Sequence, residues 1–154
     1  MREHPKILLV DDEPSLVKIV SRRLEAEGFE VCVAMDGEEA LRQAVEEEPE
    51  LIILDVMLPK LTGYDVCKKL KADPKYKKIP IILFTAKVQA RDEVLGFEAG
   101  ADAYVRKPFR APELIEKIWT LLKRNAQEAG GGDERGNESE QNDHRTVSEG
   151  PFGR

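Results

Sequence analysis

The sequence lacks any long hydrophobic run. Its apolar stretches, such as residues 7–10 and 51–54, are no longer than five residues, whereas a membrane-spanning helix needs about 20. The first of these stretches is also the only apolar segment near the start of the chain, and a secretory signal needs about 7 to 15 apolar residues. These absences predict a soluble, cytoplasmic protein.

Cysteine and histidine are both scarce. Cys32 and Cys67 lie 35 residues apart and belong to no CxxC pair, and the chain has only two histidines. This set argues against a zinc site. Each cysteine stands in an apolar run, where a free thiol packs as a small hydrophobic group. We expect both to be buried and reduced, without a redox role.

Basic side chains are in the minority. The chain of 154 residues has 30 acidic and 24 basic side chains, for a net charge of −6. Such a balance argues against non-specific binding to nucleic acid or to anionic membranes as the main task. Hydrophobic residues make up 41% of the sequence, which is enough for the core of one domain of ordinary size.

The composition changes sharply near Asn125. From there to Arg154 the chain has six glycines, seven acidic residues and three arginines, but only four apolar residues. Such a segment buries too little apolar area to offset the entropy of ordering it. We therefore predict a domain over residues 1–124 and a disordered, Gly-rich acidic tail over residues 125–154. The tail would solubilise the protein or act as a linker, or it would dock as an acidic arm on a partner or on the domain itself.

The region before Asn125 alternates short apolar runs with stretches of helical periodicity. Most of the runs are continuously apolar, which is typical of strands buried on both faces of a parallel sheet; they span residues 7–10, 31–34, 51–54, 81–84 and 103–105. Pro14 marks a helix start, and Gly28 and Gly100 mark helix ends. Five strands alternating with five helices predict an α/β domain with helices on both faces of the sheet.

Polar side chains follow four of these runs. Asp11 and Asp12 follow the first, Asp55 the third, Thr85 the fourth, and Lys107 lies just beyond the fifth. Any one of the aspartates alone is commonly a helix cap. However, ligands of open α/β sheets bind beyond the carboxyl ends of the strands. The joint placement therefore predicts a site at one edge of the sheet.

The chemistry of this residue set is specific. Neighbouring carboxylates repel one another, so they recruit a cation or show raised pKa values. Ligand sets made only of oxygen favour Mg²⁺. A carboxylate beside Mg²⁺ can attack phosphorus to give an acyl phosphate, while a lysine and a hydroxyl stabilise the transferred group. The residues therefore predict phosphorylation of an aspartate.

Over roughly residues 5–124 the sequence resembles the receiver domain of two-component response regulators, including the chemotaxis type. The resemblance rests on six motifs that occur in order: Val10-Asp11-Asp12-Glu13-Pro14, Leu54-Asp55-Val56-Met57-Leu58-Pro59, Gly63, Phe84-Thr85-Ala86, Gly100-Ala101-Asp102 and Lys107-Pro108-Phe109. It implies a doubly wound five-stranded parallel sheet with the flavodoxin-like order 2-1-3-4-5. It also implies a signalling protein rather than an enzyme, catalysing only its own phosphorylation and dephosphorylation.

The resemblance further implies which residues hold the phosphoryl group and the metal. Asp55 would accept the phosphoryl group from the phosphohistidine of a sensor histidine kinase or phosphotransfer protein. Asp12 and Asp55 would ligate Mg²⁺ together with the backbone carbonyl of Met57, and Asp11 would act directly or through water. Met57 and Lys87 stand where such domains tune the lifetime of the phosphoryl group. Because neither activates water, slow to intermediate self-hydrolysis is expected.

The same resemblance implies a switch. Thr85 and Lys107 would each bind a phosphoryl oxygen, and the Lys107–Pro108 peptide bond would be cis. Tyr104 would move inward as Thr85 shifts, unless it is an ordinary half-buried strand residue. The signal would leave through the fourth helix, fifth strand and fifth helix, over residues 87–99, 101–105 and 112–124. Trp119 would be a packing residue there, or a partner or dimer contact.

The sequence says less about the oligomeric state and the downstream partner. Ala103 stands where many DNA-binding relatives have a second aspartate, which weakens any inference of their dimer mode. We expect a stand-alone receiver, monomeric or dimeric on phosphorylation, that controls an unknown protein without direct nucleic-acid contact or membrane insertion. A phosphatase of the haloacid-dehalogenase type would need an aspartate where this chain has Met57, so that class is disfavoured. The remaining alternative is a receiver-fold interaction module that is not phosphorylated in use.

Overall fold

The computed structural model describes residues 3–86 and 90–130. Strands and helices alternate along this part of the chain. The ten elements are β1 (Lys6–Val10), α1 (Pro14–Ala26), β2 (Glu30–Ala34), α2 (Gly37–Glu47), β3 (Leu51–Asp55), α3 (Gly63–Lys71), β4 (Ile81–Thr85), α4 (Ala90–Glu98), β5 (Ala103–Arg106) and α5 (Ala111–Gly130). No helix within the described residues is both long enough and apolar enough to cross a membrane.

The five strands form one parallel sheet in the order β2-β1-β3-β4-β5. This confirms the predicted α/β fold and its strand order. The apolar runs are unbroken because the inner strands are covered on both faces: every residue of β3 and β4 is buried. Such strands have no solvent face that would favour polar residues.

Two hydrophobic layers cover the sheet. Successive residues of a strand point to opposite faces, so Leu8 and Val10 pack in one layer and Ile7 and Leu9 in the other. The first layer includes buried residues of α2 and α3, and the second includes those of α1 and α5. Truncating a fully buried leucine in such a core to alanine costs about 2–5 kcal/mol.

The helix ends follow local sequence signals. Pro14 occupies the first turn of α1, and Gly28, just beyond the end of that helix, has φ +98°. Gly100 has φ +99° after α4. A glycine adopts this left-handed conformation without the steric cost that a Cβ atom brings. The helix boundaries predicted at these three residues are confirmed.

Helix α5 is longer than the sequence predicted. It continues to Gly130, six residues past the boundary at Arg124. The prediction counted apolar residues, but Ala126, Gln127 and Ala129 favour helix whether or not they are buried. The assignment of the segment after Arg124 to a disordered tail is therefore wrong as far as Gly130. Residues 131–154 lie outside the described part of the chain.

The two cysteines differ in burial. Cys67 is fully buried on α3, as expected, and burial raises the pKa of its thiol to about 12. Cys32 is only half-buried because β2 is an edge strand, so the expectation of full burial is wrong for this residue. Burial still raises the pKa of Cys32 to about 11. Both thiols are free.

Candidate functional site

The sheet brings the polar strand-end residues to one edge. Asp11 directly follows β1, Asp55 ends β3, Thr85 ends β4 and Lys107 follows β5. Because all the strands are parallel, these ends meet at the same edge of the sheet. Backbone hydrogen bonds extend the strand pairing to this level: the amide of Asp11 donates to Ala34 at 3.1 Å, and that of Lys107 to Thr85 at 2.8 Å.

Three carboxylates converge at this edge. Asp11, Asp12 and Asp55 each offer an oxygen that lies within 4.8 Å of the other two. Asp11 is fully buried, Asp55 is 5% exposed, and Asp12 is exposed to solvent. The cluster is therefore a partly buried pocket of negative charge that opens to solvent on the side of Asp12.

The charge state of Asp55 is sensitive to this setting. Burial and the charge of Asp11 raise the pKa of the Asp55 carboxyl from 3.8 to about 6. Lys107 opposes this effect, and so does the backbone amide of Met57, which donates to Asp55 Oδ1 at 3.3 Å. A cation bound beside such a carboxylate stabilises its charged form.

Lys107 bridges the two buried carboxylates. Its Nζ donates to Asp11 Oδ2 at 2.9 Å and to Asp55 Oδ2 at 3.4 Å. Burial alone would lower the pKa of Lys107, but the hydrogen bond to Asp11 and the charges of both aspartates raise it. The ammonium also lies 4.8 Å from the centre of the Phe84 ring, which packs edge-on against Phe109. This aromatic support is not predictable from the sequence, because it depends on how β4 and the segment after β5 pack in the folded protein.

The loop after β3 approaches Asp55 closely. A Cβ atom on Gly63 would lie 2.3 Å from the backbone oxygen of Asp55 and 2.8 Å from Cα of Val56. Only glycine fits there, since those neighbours are backbone atoms that cannot rotate away. The amide of Gly63 also donates to Val56 at 2.9 Å. Helix α3 therefore begins directly against the end of β3, which holds the strand end that carries Asp55.

The same loop is anchored on α2. The amide of Gly37 donates to the carbonyl of Pro59 at 3.2 Å, and Lys60, with φ 73°, places its ammonium 3.7 Å from Asp36. A Cβ atom on Gly37 would lie 2.5 Å from Leu61. Sequence reasoning missed these contacts, since nothing in the local pattern relates residues so far apart in the chain.

The remaining predicted site residues lie near this edge or outside the described residues. Thr85 is fully buried. Tyr104, the register partner of Leu83, is half-buried and packs against the first hydrophobic layer. The Lys107–Pro108 peptide bond is cis. The movement of Tyr104 stays a prediction, and Lys87 lies outside the described residues.

The predicted output surface has exposed apolar side chains. On α4, Val94, Leu95 and Phe97 are each 44–53% exposed. Trp119 on α5 does not add to this surface as a free contact, because its ring lies 4.9 Å from the ring of Phe29 and packs against the second hydrophobic layer.

Comparison with known proteins gives a consistent result. The family model of the response regulator receiver domain matches residues 7–119. The chain is 48% identical over 120 residues to the alkaline phosphatase synthesis transcriptional regulatory protein PhoP of Bacillus subtilis, covering 78% of this chain and 49% of that protein. It is 46% identical over 123 residues to the DNA-binding response regulator MtrA of Mycolicibacterium smegmatis, covering 80% and 53%. The chain thus spans about half the length of these curated relatives.

Solved structures agree with the sheet topology. A CheY-like response regulator receiver domain protein from Methanospirillum hungatei superposes with a TM-score of 0.76 and 30% identity, covering 81% of this chain and 98% of that chain. The chemotaxis response regulator CheY4 of Vibrio cholerae superposes with a TM-score of 0.72 and 33% identity, covering 77% and 98%. Both likenesses extend over nearly the whole of the solved chains.

Proposed function

This chain belongs to the response regulator receiver domain family, the phosphorylation-activated switches of two-component signalling, and we propose that Asp55 is its phosphoacceptor. One observation carries the assignment. Asp55 is the carboxylate that both lies within the three-aspartate cluster and ends the central strand β3, with Lys107 3.4 Å away. Asp11 is fully buried and already engaged by Lys107 at 2.9 Å, and Asp12 is exposed to solvent.

The proposed reaction is a phosphoryl transfer from histidine to aspartate. A carboxylate oxygen of Asp55 forms a bond to phosphorus as the bond between phosphorus and the donor imidazole nitrogen breaks, and the imidazole leaves. Positioning and charge neutralisation provide most of the catalysis in such reactions. The carboxylate of Asp55 is held for this by the amide of Met57 on one oxygen and by Lys107 on the other.

The site fits Mg²⁺. Asp11, Asp12 and Asp55 present only oxygen ligands within 4.8 Å of one another, and this is the donor chemistry that Mg²⁺ prefers. We propose that Asp12, Asp55 and the carbonyl of Met57 hold the ion, with Asp11 binding directly or through water. When bound, Mg²⁺ would neutralise charge on the phosphoryl oxygens.

Lys107 and Thr85 would then bind the phosphoryl group. Phosphorylation adds about −1.5 to −2 charge and three strong acceptor oxygens. The Lys107 ammonium already lies between Asp11 and Asp55, so it needs only a short shift to pair with the new anion. We propose that the Thr85 hydroxyl donates to another phosphoryl oxygen, that Tyr104 moves inward, and that the surface of α4, β5 and α5 changes as a result.

The partners follow from this role. The phosphoryl donor would be a sensor histidine kinase or a phosphotransfer protein, and the output partner a protein that reads the surface formed by α4, β5 and α5. We propose that the protein acts in the cytoplasm, as a monomer or a phosphorylation-dependent dimer, without direct contact to nucleic acid. Its catalysis would be limited to its own phosphorylation and dephosphorylation.

The decisive experiment is intact-mass measurement after incubation with acetyl phosphate and Mg²⁺. We expect one phosphoryl group on the native chain, none without Mg²⁺, and none on Asp55→Asn. Glu116→Gln, an exposed carboxyl on α5, serves as a control and should be phosphorylated normally. Beryllofluoride binding followed by NMR covers the case of a short-lived acyl phosphate. If neither reagent modifies the native chain, an interaction module that is not phosphorylated becomes the better assignment.

A further inference from the structure

The protein has a concentrated basic surface at the edge of the sheet opposite Asp55. Six lysines fall within the eleven residues from 68 to 78, with Asp73 as the single acidic residue among them. They are Lys68, Lys69, Lys71, Lys75, Lys77 and Lys78. This segment covers the end of α3 and the connection to β4. We call these six residues the lysine surface; it contrasts with a chain whose net charge is −6.

The connection is folded back onto the end of α3. Nζ of Lys71 donates to the carbonyl oxygens of Lys77 at 3.0 Å and Ile79 at 2.8 Å. Asp73 is buried and accepts from the amide of Lys75 at 2.8 Å. Because these contacts hold the connection against the helix, the lysines before and after Asp73 belong to one surface rather than to an extended loop.

Three of the six lysines on this surface face solvent. Lys68, Lys75 and Lys78 are exposed, and no ion pair among the described residues involves any of the three. Lys71, by contrast, is neutralised by Asp102 at 2.9 Å. Like charges on one surface repel one another, and an anionic ligand relieves that repulsion.

Helix α5 passes beside this surface at Arg124. Nη2 of Arg124 lies 3.0 Å from Oδ1 of Asp102, whose other oxygen lies 2.9 Å from Lys71. Asp102 therefore joins the last turns of α5 to the end of α3. Gly130 follows six residues later, about 9 Å further along the helix axis. The chain after residue 130 is thus tethered to a helix that is linked to Lys71 through Asp102.

The segment that starts there has the complementary charge. Residues 133–143 contain five acidic residues and one arginine: Asp133, Glu134, Arg135, Glu138, Glu140 and Asp143. Only the glycines at 131 and 132 separate this segment from Gly130. A chain of about ten residues can reach roughly 30 Å. A short tether also gives an effective concentration of about millimolar.

We propose that the acidic segment over residues 133–143 docks on the lysine surface of the same molecule. The ligand class is an acidic peptide, and this chain supplies it. The contact is electrostatic, so it weakens as salt is added. It lies at the edge of the sheet away from Asp55 and leaves the phosphorylation site uncovered, so the proposal stands whether or not Asp55 is the phosphoacceptor.

The test uses NMR spectra of the full ¹⁵N-labelled chain. Spectra are compared between about 0.01 M and about 1 M ionic strength, where the Debye length falls from about 30 Å to about 3 Å. In the native chain we expect the amide signals of residues 68–78 to shift between the two conditions. In a tail-neutral variant, with the five acidic residues of 133–143 changed to Asn or Gln, we expect that shift to be largely lost.

A matched pair of charge reversals identifies the surface. Lys68→Glu with Lys78→Glu should abolish the salt-dependent shift of the remaining amides of residues 68–78. Lys18→Glu with Arg22→Glu changes the net charge equally, on exposed positions of α1 on the opposite face of the sheet, and should leave the shift intact. Dispersed signals elsewhere in the spectrum verify that each variant is folded.

Three outcomes would overturn the proposal. The first is a salt-dependent shift that persists in the tail-neutral variant. The second is a shift that disappears on dilution, because the acidic segment would then be binding a second copy. The third is a native chain whose residues 68–78 do not respond to salt but shift on adding a DNA duplex, which would assign the surface to nucleic acid.

Discussion

The ammonium of Lys107 donates its shorter hydrogen bond to Asp11, at 2.9 Å, and both side chains are shielded from solvent. Lys107 therefore supplies the counter-charge of the carboxylate cluster in this structure. A divalent cation that enters the cluster would be repelled by this positive charge. The lysine that stabilises a phosphoryl group would thus weaken metal binding before phosphorylation.

Replacing Lys107 by methionine should strengthen Mg²⁺ binding. The substitution keeps much of the side-chain volume over Phe84 but removes the charge that repels the ion. We expect the affinity for Mg²⁺ to rise about tenfold, corresponding to about 1.4 kcal/mol, measured by calorimetric titration. Without Mg²⁺ the variant should be less stable, because Asp11 and Asp55 lose their counter-charge. Lys117→Met, at an exposed position of α5, should change neither property, and a weaker affinity in Lys107→Met would refute the argument.

Replacing Gly63 by alanine should distort the end of β3. The new Cβ atom would meet the backbone of Asp55 and Val56 at 2.3–2.8 Å, and overpacking of this kind costs about 1–3 kcal/mol. We expect this loss in urea unfolding, together with slower phosphorylation by acetyl phosphate. Gly28→Ala is the comparison: nothing lies within 4 Å of its Cβ, but its φ is +98°, so it should lose about 1 kcal/mol and be phosphorylated at the normal rate. Equal phosphorylation of the two variants would contradict the placement of Gly63.

The cap of α2 should make stability depend on pH. The side chain of Asp36 accepts from the amide of Glu39 at 2.8 Å, and this hydrogen bond, aided by Lys60, lowers the pKa of Asp36 below 3.8. A carboxyl whose pKa is lowered by folding contributes stability above its unfolded value, and this contribution is lost as the pH falls through the folded value.

Two variants separate the cap from its charge. Asp36→Ala should cost about 1 kcal/mol near neutral pH, measured by urea unfolding, and the difference from the native chain should shrink as the pH falls from about 5 to about 3. Asp36→Asn keeps a capping side chain without a titrating charge, so it should lose less and should not follow the native pH dependence at this site. A difference between native and Asp36→Ala that grows toward low pH would show the opposite sign and refute the cap assignment.

The sequence predicts the parts of the fold that depend on local signals. The four-residue apolar runs of β1, β3 and β4 indicate strands because those strands are buried on both faces. The approach of Asp11, Asp12 and Asp55 follows from strand ends alone, once the strands are parallel. Thr85 and Lys107 are placed at the same edge by the same reasoning.

Features that depend on the assembled sheet could not be predicted from the local sequence. The half-burial of Cys32 follows from the edge position of β2, which periodicity does not reveal. The need for glycine at position 63 comes from the backbone of β3, and the ion pairs of Asp102 join residues 31 and 22 positions away. Helix α5 extends past Arg124 because helix propensity and apolar composition are separate properties.

The ion pairs of Asp102 also link α5 to the end of α3. Its first residues lie close in sequence to Lys107, while Arg124 near its other end is fixed to Asp102 and, through it, to Lys71. A helix that is held at one end moves least at that end. We therefore expect a displacement that starts at Lys107 to be larger at the Ala111 end of α5 than beside Asp102. A partner protein would then detect it best by binding the first turns of this helix.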